Sequence, residues 1–129
     1  MLNLGSPDTP ETPDVASCLH TFLTDRRVVG LSKSIRHFLV DRIIVPRRAP
    51  KSAANYRTIW DEEKQSFPLI DHTASLAEQL AEHQQCPVAV GMRYGNPSTA
   101  SALTALASRS EIEEVVILPL YPHYARSSY

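Results

Sequence analysis

An open, mostly parallel α/β sheet with helices on both faces is the fold class that this 129-residue sequence predicts. Three observations carry that expectation. Val88-Ala89-Val90-Gly91-Met92 and Val115-Val116-Ile117-Leu118-Pro119-Leu120 are short apolar runs without polar alternation, the pattern of strands buried on both faces. Between such runs the apolar residues switch to a spacing of three and four, the helical period. Ten prolines and only four glycines punctuate the junctions. Strands separated by helices imply right-handed crossovers, and sheets of that kind bind ligands beyond the carboxyl ends of their strands.

Met1 to Leu4 is a short apolar stub that runs into the turn-forming Gly5-Ser6-Pro7-Asp8-Thr9-Pro10, and it reads as the end of a strand that starts earlier. Thr12 is expected to cap a helix with Pro13 at its first position, since Val15, Cys18, Leu19, Phe22 and Leu23 recur at i, i+3, i+4, i+7 and i+8. A second helix is expected over Ser34 to Ile43, with Ile35, Phe38, Leu39 and Ile43 on its apolar face and Pro46 as its stop. The third runs from about Pro50 to Trp60 and buries Tyr56, Ile59 and Trp60. The fourth spans roughly Asp71 to His83 behind a stripe of Leu76, Ala77, Leu80 and Ala81. After the Val88–Met92 strand, Asn96-Pro97-Ser98 turns the chain and Ser98 caps a helix carrying Ala102, Leu103, Leu106 and Ala107, which leads into the Val115–Leu120 strand.

The strand ends that would meet a ligand are Asn3-Leu4-Gly5-Ser6, Met92-Arg93-Tyr94-Gly95 and Leu120-Tyr121-Pro122-His123. Three strands make a thin sheet, and the chain reaches Tyr129 where a further covering helix is expected. Residues 1–129 therefore read as one lobe of a longer protein, with apolar surface left uncovered.

Composition narrows the function classes. With 43% apolar and 21% charged residues the chain is a soluble globular domain, and a net charge of −1 gives no field to hold a polyanion, so nucleic acid is not an expected partner. No apolar run reaches the length of a membrane span. Cys18 and Cys86 make neither a disulfide framework nor a metal-binding cluster, and no signal peptide is visible, which fits the cytoplasm.

Locally the charge is uneven. From Arg26 to Lys51 eight basic residues face the single acid Asp41. Arg47, Arg48 and Lys51 are the densest part, and Pro46 and Pro50 stiffen the backbone around them, so that two guanidinium forks and an ammonium converge at low entropic cost on a small dianion. A solvated basic loop is the plainer reading of the same run. Arg93 and Tyr94 stand where a strand emerges; they suit ligand contacts, or equally an ion pair with a helix carboxylate and a packed ring. His123, between Tyr121 and Tyr124, could hold a divalent metal or move a proton, although a lone loop histidine is more often structural. His20, His37, His72 and His83 are expected to be surface or packing residues on helices, none with a second ligand at i+4. No nucleophile motif and no glycine-rich phosphate loop exists. Spacing alone stops at an anion-binding α/β half.

Five blocks in one order go further. Asn3-Leu4-Gly5-Ser6-Pro7, Phe22-Leu23-Thr24-Asp25-Arg26-Arg27-Val28, Arg47-Arg48-Ala49-Pro50-Lys51 with Tyr56 and Ile59-Trp60, Met92-Arg93-Tyr94-Gly95-Asn96-Pro97, and Leu118-Pro119-Leu120-Tyr121-Pro122-His123-Tyr124 together resemble the N-terminal half of ferrochelatase over essentially the whole chain. The resemblance implies a lyase of two similar α/β lobes that holds a porphyrin in a cleft and inserts ferrous iron, the terminal step of haem synthesis. Iron is then a substrate, and no cofactor is required.

By the resemblance, Leu4, Leu19 and Phe22 line the macrocycle face. Arg48, helped by Arg47 and Lys51, neutralises the propionates, and Tyr56 adds a contact. Ser66 stands near the family's Gly-Ser-Pro-Leu element, here Ser66-Phe67-Pro68-Leu69 with acidic and polar residues ahead in place of glycines. Arg93 and Tyr94 match the pair on the cleft side opposite the pyrrole base, and His123 stands where relatives carry histidine or glutamine, a tentative metal contact. Coproporphyrin-using relatives resemble the first segment but carry a tyrosine at the position of Leu4, which favours protoporphyrin IX. The family's essential histidine and its acidic partner belong to the second half, beyond Tyr129, so no catalytic residue is expected within this chain, and the chain by itself is expected to be inactive. The competing readings are a non-catalytic porphyrin- or anion-binding module and coproporphyrin III as the substrate. The basic block also suits a peripheral contact with anionic lipid.

Overall fold

Leu2 occupies the middle of the sheet in the computed structural model, which describes residues 1–121. Strand β1 (Leu2–Asn3) pairs in parallel with β2 (Gly91–Met92), Leu2 opposite Gly91 and Asn3 opposite Met92. Gly91 N–H donates to the Met1 carbonyl and Arg93 N–H to that of Asn3, both at 2.9 Å. On the other edge of β1 lies a parallel bridge to Pro119, where Leu2 N–H donates to Leu118 O at 2.9 Å and Leu120 N–H to Leu2 O at 2.8 Å. Pro119 is tolerated there because its flanking residues make both bonds.

The two expected strands are thus much shorter than their apolar runs. Val115, Val116, Ile117 and Leu118 are exposed, Val116 at 78%, instead of buried on two faces. A parallel ladder needs a partner of equal length, and β1 offers two residues.

Among the described residues two compact units arise, one of Met1–Ser6 with residues 68–121, the other of Pro7–Phe67. In the first, helix α4 (Pro68–Gln84) begins three residues earlier than the periodicity suggests and buries Thr73 and Ala77, while Leu76 turns to solvent. Thr73 explains the rotation: its hydroxyl accepts from Asn3 Nδ2 at 2.9 Å and donates to Leu69 O at 2.6 Å, tying α4 to β1. Helix α5 (Thr99–Ala107) starts as expected at Ser98, whose hydroxyl accepts from Ser101 N–H at 3.1 Å. It lies close against β2, with Thr99 Cα only 3.0 Å from where a side chain on Gly91 would begin.

The second unit is helical. Helix α1 (Thr12–Thr24) has Glu11, not Thr12, at its N-cap position, without a side-chain bond. Thr9 ties the entry instead, donating to Asp14 at 2.5 Å and accepting from Glu11 N–H at 3.2 Å. Val15 and Leu23 are buried, with Cys18, Leu19 and Phe22 half-buried, and the helix packs chiefly on α3 (Val45–Arg57).

Pro46 does not stop a helix. Helix α2 (Lys33–Leu39) continues through a π-helical turn, Val40–Ile44, directly into α3. Proline cannot donate to the carbonyl four residues back and its ring crowds that group. The turn widens so that Val45 N–H donates to Val40 O, five residues back, and the chain stays helical past the ring. Pro50 likewise sits inside α3, so the expected helix start at Pro50 and the intervening loop are both overturned.

The expected apolar face of α2 is overturned too. Ile35 and Phe38 are exposed, and Arg36 is buried, its Nη1 donating to Leu31 O at 2.8 Å and Val29 O at 3.3 Å. Loop carbonyls leaving the solvent need donors, and that need outweighs burial of two apolar side chains on a seven-residue helix. Past α3, Ile59 is exposed where burial was expected, while Trp60 stacks edge-on to Phe67.

Candidate functional site

Three cations stand on α3. Lys51 shares a face with Arg47 at i+4 and with Arg48 at i+3, and all three are exposed while Ala49 and Ala53 bury the other side. Their rigidity comes from a helix and not from a proline-stiffened loop, a correction that strengthens preorganisation: the bases of the three side chains are set by the helical rise. None of the three has a hydrogen-bond or ion-pair partner among the described residues. Like charges held together without compensation repel, and an anion bound across them relieves the repulsion.

Aromatic and apolar groups of the same helical unit lie toward the buried side of α3. Leu19 and Phe22 lie on α1, which packs on α3, and Tyr56 closes the last turn of α3. Phe67, 2% exposed, meets the edge of Tyr56 at 5.3 Å between ring centroids and of Trp60 at 4.7 Å. Burial raises the Tyr56 pKa, with the Cys18 thiol adding to it, so the phenol stays neutral and able to donate near pH 7. Burial and then Asp8 raise the Cys18 pKa as well, which keeps the thiol from becoming a reactive thiolate. Ser66 pairs its backbone with Asp61 to close the tight turn between Trp60 and Phe67, its carbonyl accepting from Asp61 N–H at 3.0 Å.

In the unit built on the sheet, the strand ends bring Leu4, Arg93 and Tyr94 together. Leu4 is 39% exposed and its carbonyl accepts from Tyr94 N–H at 2.9 Å. Arg93 Nε donates to the Tyr94 hydroxyl at 3.1 Å, and the guanidinium carbon lies 5.3 Å from the centre of that ring. Tyr94 is buried, as is Ser6, whose hydroxyl has no hydrogen-bond partner among the described residues. His123 lies outside the described residues.

The helical histidines divide. His72 and His83 are exposed, in keeping with a surface role. His20 and His37 are half-buried, and with Asp41 their ligating atoms all lie within 4.8 Å of one another. Asp41 is at i+4 from His37, a signal present in the sequence and passed over, whereas the approach of His20 from α1 is a tertiary fact.

The whole chain, residues 1–129, matches the family described as Ferrochelatase. Among curated proteins it is 51% identical to a ferrochelatase of Porphyromonas gingivalis over 129 residues, all of this chain and 36% of the relative. It is 43% identical to a ferrochelatase of Opitutus terrae, covering all of this chain and 37% of the relative, and 42% identical to one of Vibrio parahaemolyticus, covering 97% and 38%. The chain thus spans well under half the length of these relatives, aligned with their N-terminal part. No solved structure matches it significantly.

Proposed function

The chain belongs to the ferrochelatase family, and from that premise we propose that the protein carrying it inserts ferrous iron into protoporphyrin IX to make protohaem. The observation that supports this most directly is the unpartnered Arg47, Arg48 and Lys51 face of α3, in the same helical unit as half-buried Leu19, Phe22 and Tyr56.

A flat porphyrin hides its pyrrole nitrogens, so metal insertion needs a wall against which the disc bends, a grip on its edge, a base for two N–H protons and a route for a desolvated cation. The chain's residues supply the first two. Leu19 and Phe22 offer apolar surface to the ring, and Leu4 does so at the end of β1. Arg48 donates two parallel hydrogen bonds to one propionate, with Arg47 and Lys51 adding charge, and neutral Tyr56 donates a hydrogen bond. Ser66 stands at the edge of this aromatic cluster as a further polar contact. Arg93 and Tyr94 serve on the metal side of the ring. Leucine at position 4 has no oxygen to approach iron, which favours protoporphyrin over coproporphyrin. Iron is consumed as substrate, and no resident cofactor is invoked.

The clamp is tested by titrating the purified protein into protoporphyrin IX and coproporphyrin III and following the Soret band. Arg48→Ala is expected to weaken protoporphyrin binding by about tenfold or more, the worth of one charge-assisted bond. Equal binding by Arg48→Ala and the unaltered protein removes the clamp. Tighter binding of coproporphyrin reverses the substrate assignment.

A second expectation separates the enzyme from a free-standing binding module. On this reading the pyrrole base and its acidic partner lie outside residues 1–129. The 129 residues alone are therefore expected to bind porphyrin weakly and to leave it unmetallated with iron or zinc. Turnover approaching that of a complete ferrochelatase would show that the base lies within this chain.

A further inference from the structure

The helical unit holds a constellation that porphyrin binding does not use. His20 projects from α1, His37 from the last turns of α2, and Asp41 from the π-helical turn that follows. His20 Nε2 lies 3.0 Å from Asp41 Oδ1, the two imidazole centres are 6.0 Å apart with their planes at 59°, and one ligating atom from each residue falls within 4.8 Å of the other two. We propose that His20, His37 and Asp41 form a binding site for a divalent transition cation of the zinc or ferrous type, with water in the remaining positions.

Donor chemistry sets the class of ion. Two neutral imidazoles and one carboxylate suit Zn²⁺, Fe²⁺, Co²⁺ or Ni²⁺, whereas Mg²⁺ and Ca²⁺ prefer all-oxygen shells. Distances agree. Ligands about 2.0–2.1 Å from a tetrahedral metal lie roughly 3.3 Å from one another. The His20–Asp41 pair already has that separation, and the third donor needs to close by at most about 1.5 Å, a side-chain rotation at half-exposed positions. The backbone is shaped for it: the i, i+4 pair of His37 and Asp41 points one way, the π-helical turn opens at Val40 immediately before Asp41, and α1 packs on both α2 and that turn. Turns of this kind gather at functional sites. Charge also singles the site out, because Asp41 is the only acid between Arg26 and Lys51 and it stands against an imidazole instead of one of the eight surrounding cations. Of these, Arg42, adjacent to Asp41 in the chain, is exposed, and Arg36, adjacent to His37, is turned toward the carbonyls of Val29 and Leu31.

The test is a Co²⁺ titration of the purified protein at neutral pH, read by ligand-field absorption and by stoichiometry, with Zn²⁺ as competitor. The expected result is one equivalent that His37→Ala or Asp41→Asn weakens at least tenfold, while His83→Ala, an exposed helical histidine elsewhere, leaves it unchanged. A second readout needs no variant: Zn²⁺ should protect His20 and His37, but not His72 or His83, from carbethoxylation mapped by peptide mass. Equal Co²⁺ uptake by the unaltered protein and His37→Ala, or equal labelling of all four histidines with and without Zn²⁺, overturns the site and leaves a simple His20–Asp41 ion pair. Neither outcome depends on whether porphyrin binds.

Discussion

Gly5→Ala is expected to destabilise the protein by at least about 3 kcal/mol and to lower its denaturation midpoint accordingly. Gly5 has φ of +100°, in the region that side chains rarely adopt, and a Cβ there would fall 1.9 Å from the Tyr94 carbonyl oxygen and 2.8 Å from its carbon. Both are backbone atoms, so no rotamer change relieves the overlap. The segments must part, and parting them breaks the 2.9 Å bonds from Tyr94 N–H to Leu4 O and from Arg93 N–H to Asn3 O. Those bonds place Leu4, Arg93 and Tyr94 at the carboxyl edge of the sheet, so porphyrin affinity is expected to fall with stability. Gly30→Ala is the control: nothing lies within 4 Å of its added methyl, and a change within about 0.5 kcal/mol is expected. Urea denaturation followed by circular dichroism checks both, and a Gly5→Ala midpoint equal to that of the unaltered protein refutes the close approach.

Phe67→Ala is expected to cost about 3–5 kcal/mol, the usual range for deleting a buried aromatic ring. Phe67 is almost wholly buried and receives Tyr56 and Trp60 edge-on at interplanar angles of 65° and 69°. Edge contacts of this sort add about 0.5–1.5 kcal/mol each to the area they bury. Trp60 is the only tryptophan, so its emission reports on this cluster alone, and a red shift is expected when the ring beside it is removed. Tyr56 also loses the ring that holds it edge-on, and porphyrin affinity should weaken even where the fold survives. Phe67→Leu retains most of the volume and is expected to cost less than half as much. Unshifted emission together with an unchanged midpoint in Phe67→Ala would exclude the cluster as an anchor of the helical unit.

Legibility from sequence follows the range of each interaction. Helices α1, α4 and α5 could be read from three-and-four spacing, and Ser98 from its place ahead of small helical residues, because caps and amphipathic faces are set within a few residues. The same locality places Leu4, Arg93 and Tyr94 at strand ends, and the order of five motifs is enough for the family. Pro46 shows where such reading fails. A proline predicts a missing donor, but whether the chain breaks or widens into a π-helical turn depends on what packs around it, here α1 and α3. Arg36 took the buried position that spacing assigned to Ile35 and Phe38, because the carbonyls of Val29 and Leu31 come near only after the loop folds back.

Composition, period and motif order alone determined the α/β class, the family and the identity of the cationic residues. Tertiary structure decided that Arg47, Arg48 and Lys51 stand on a rigid helix, that the strands shorten to two paired residues, and that His20 meets His37 and Asp41. The physical reason is that hydrogen-bond demand and steric fit between segments distant in the chain outweigh the preferences of any one segment, and those demands exist only once the segments have met.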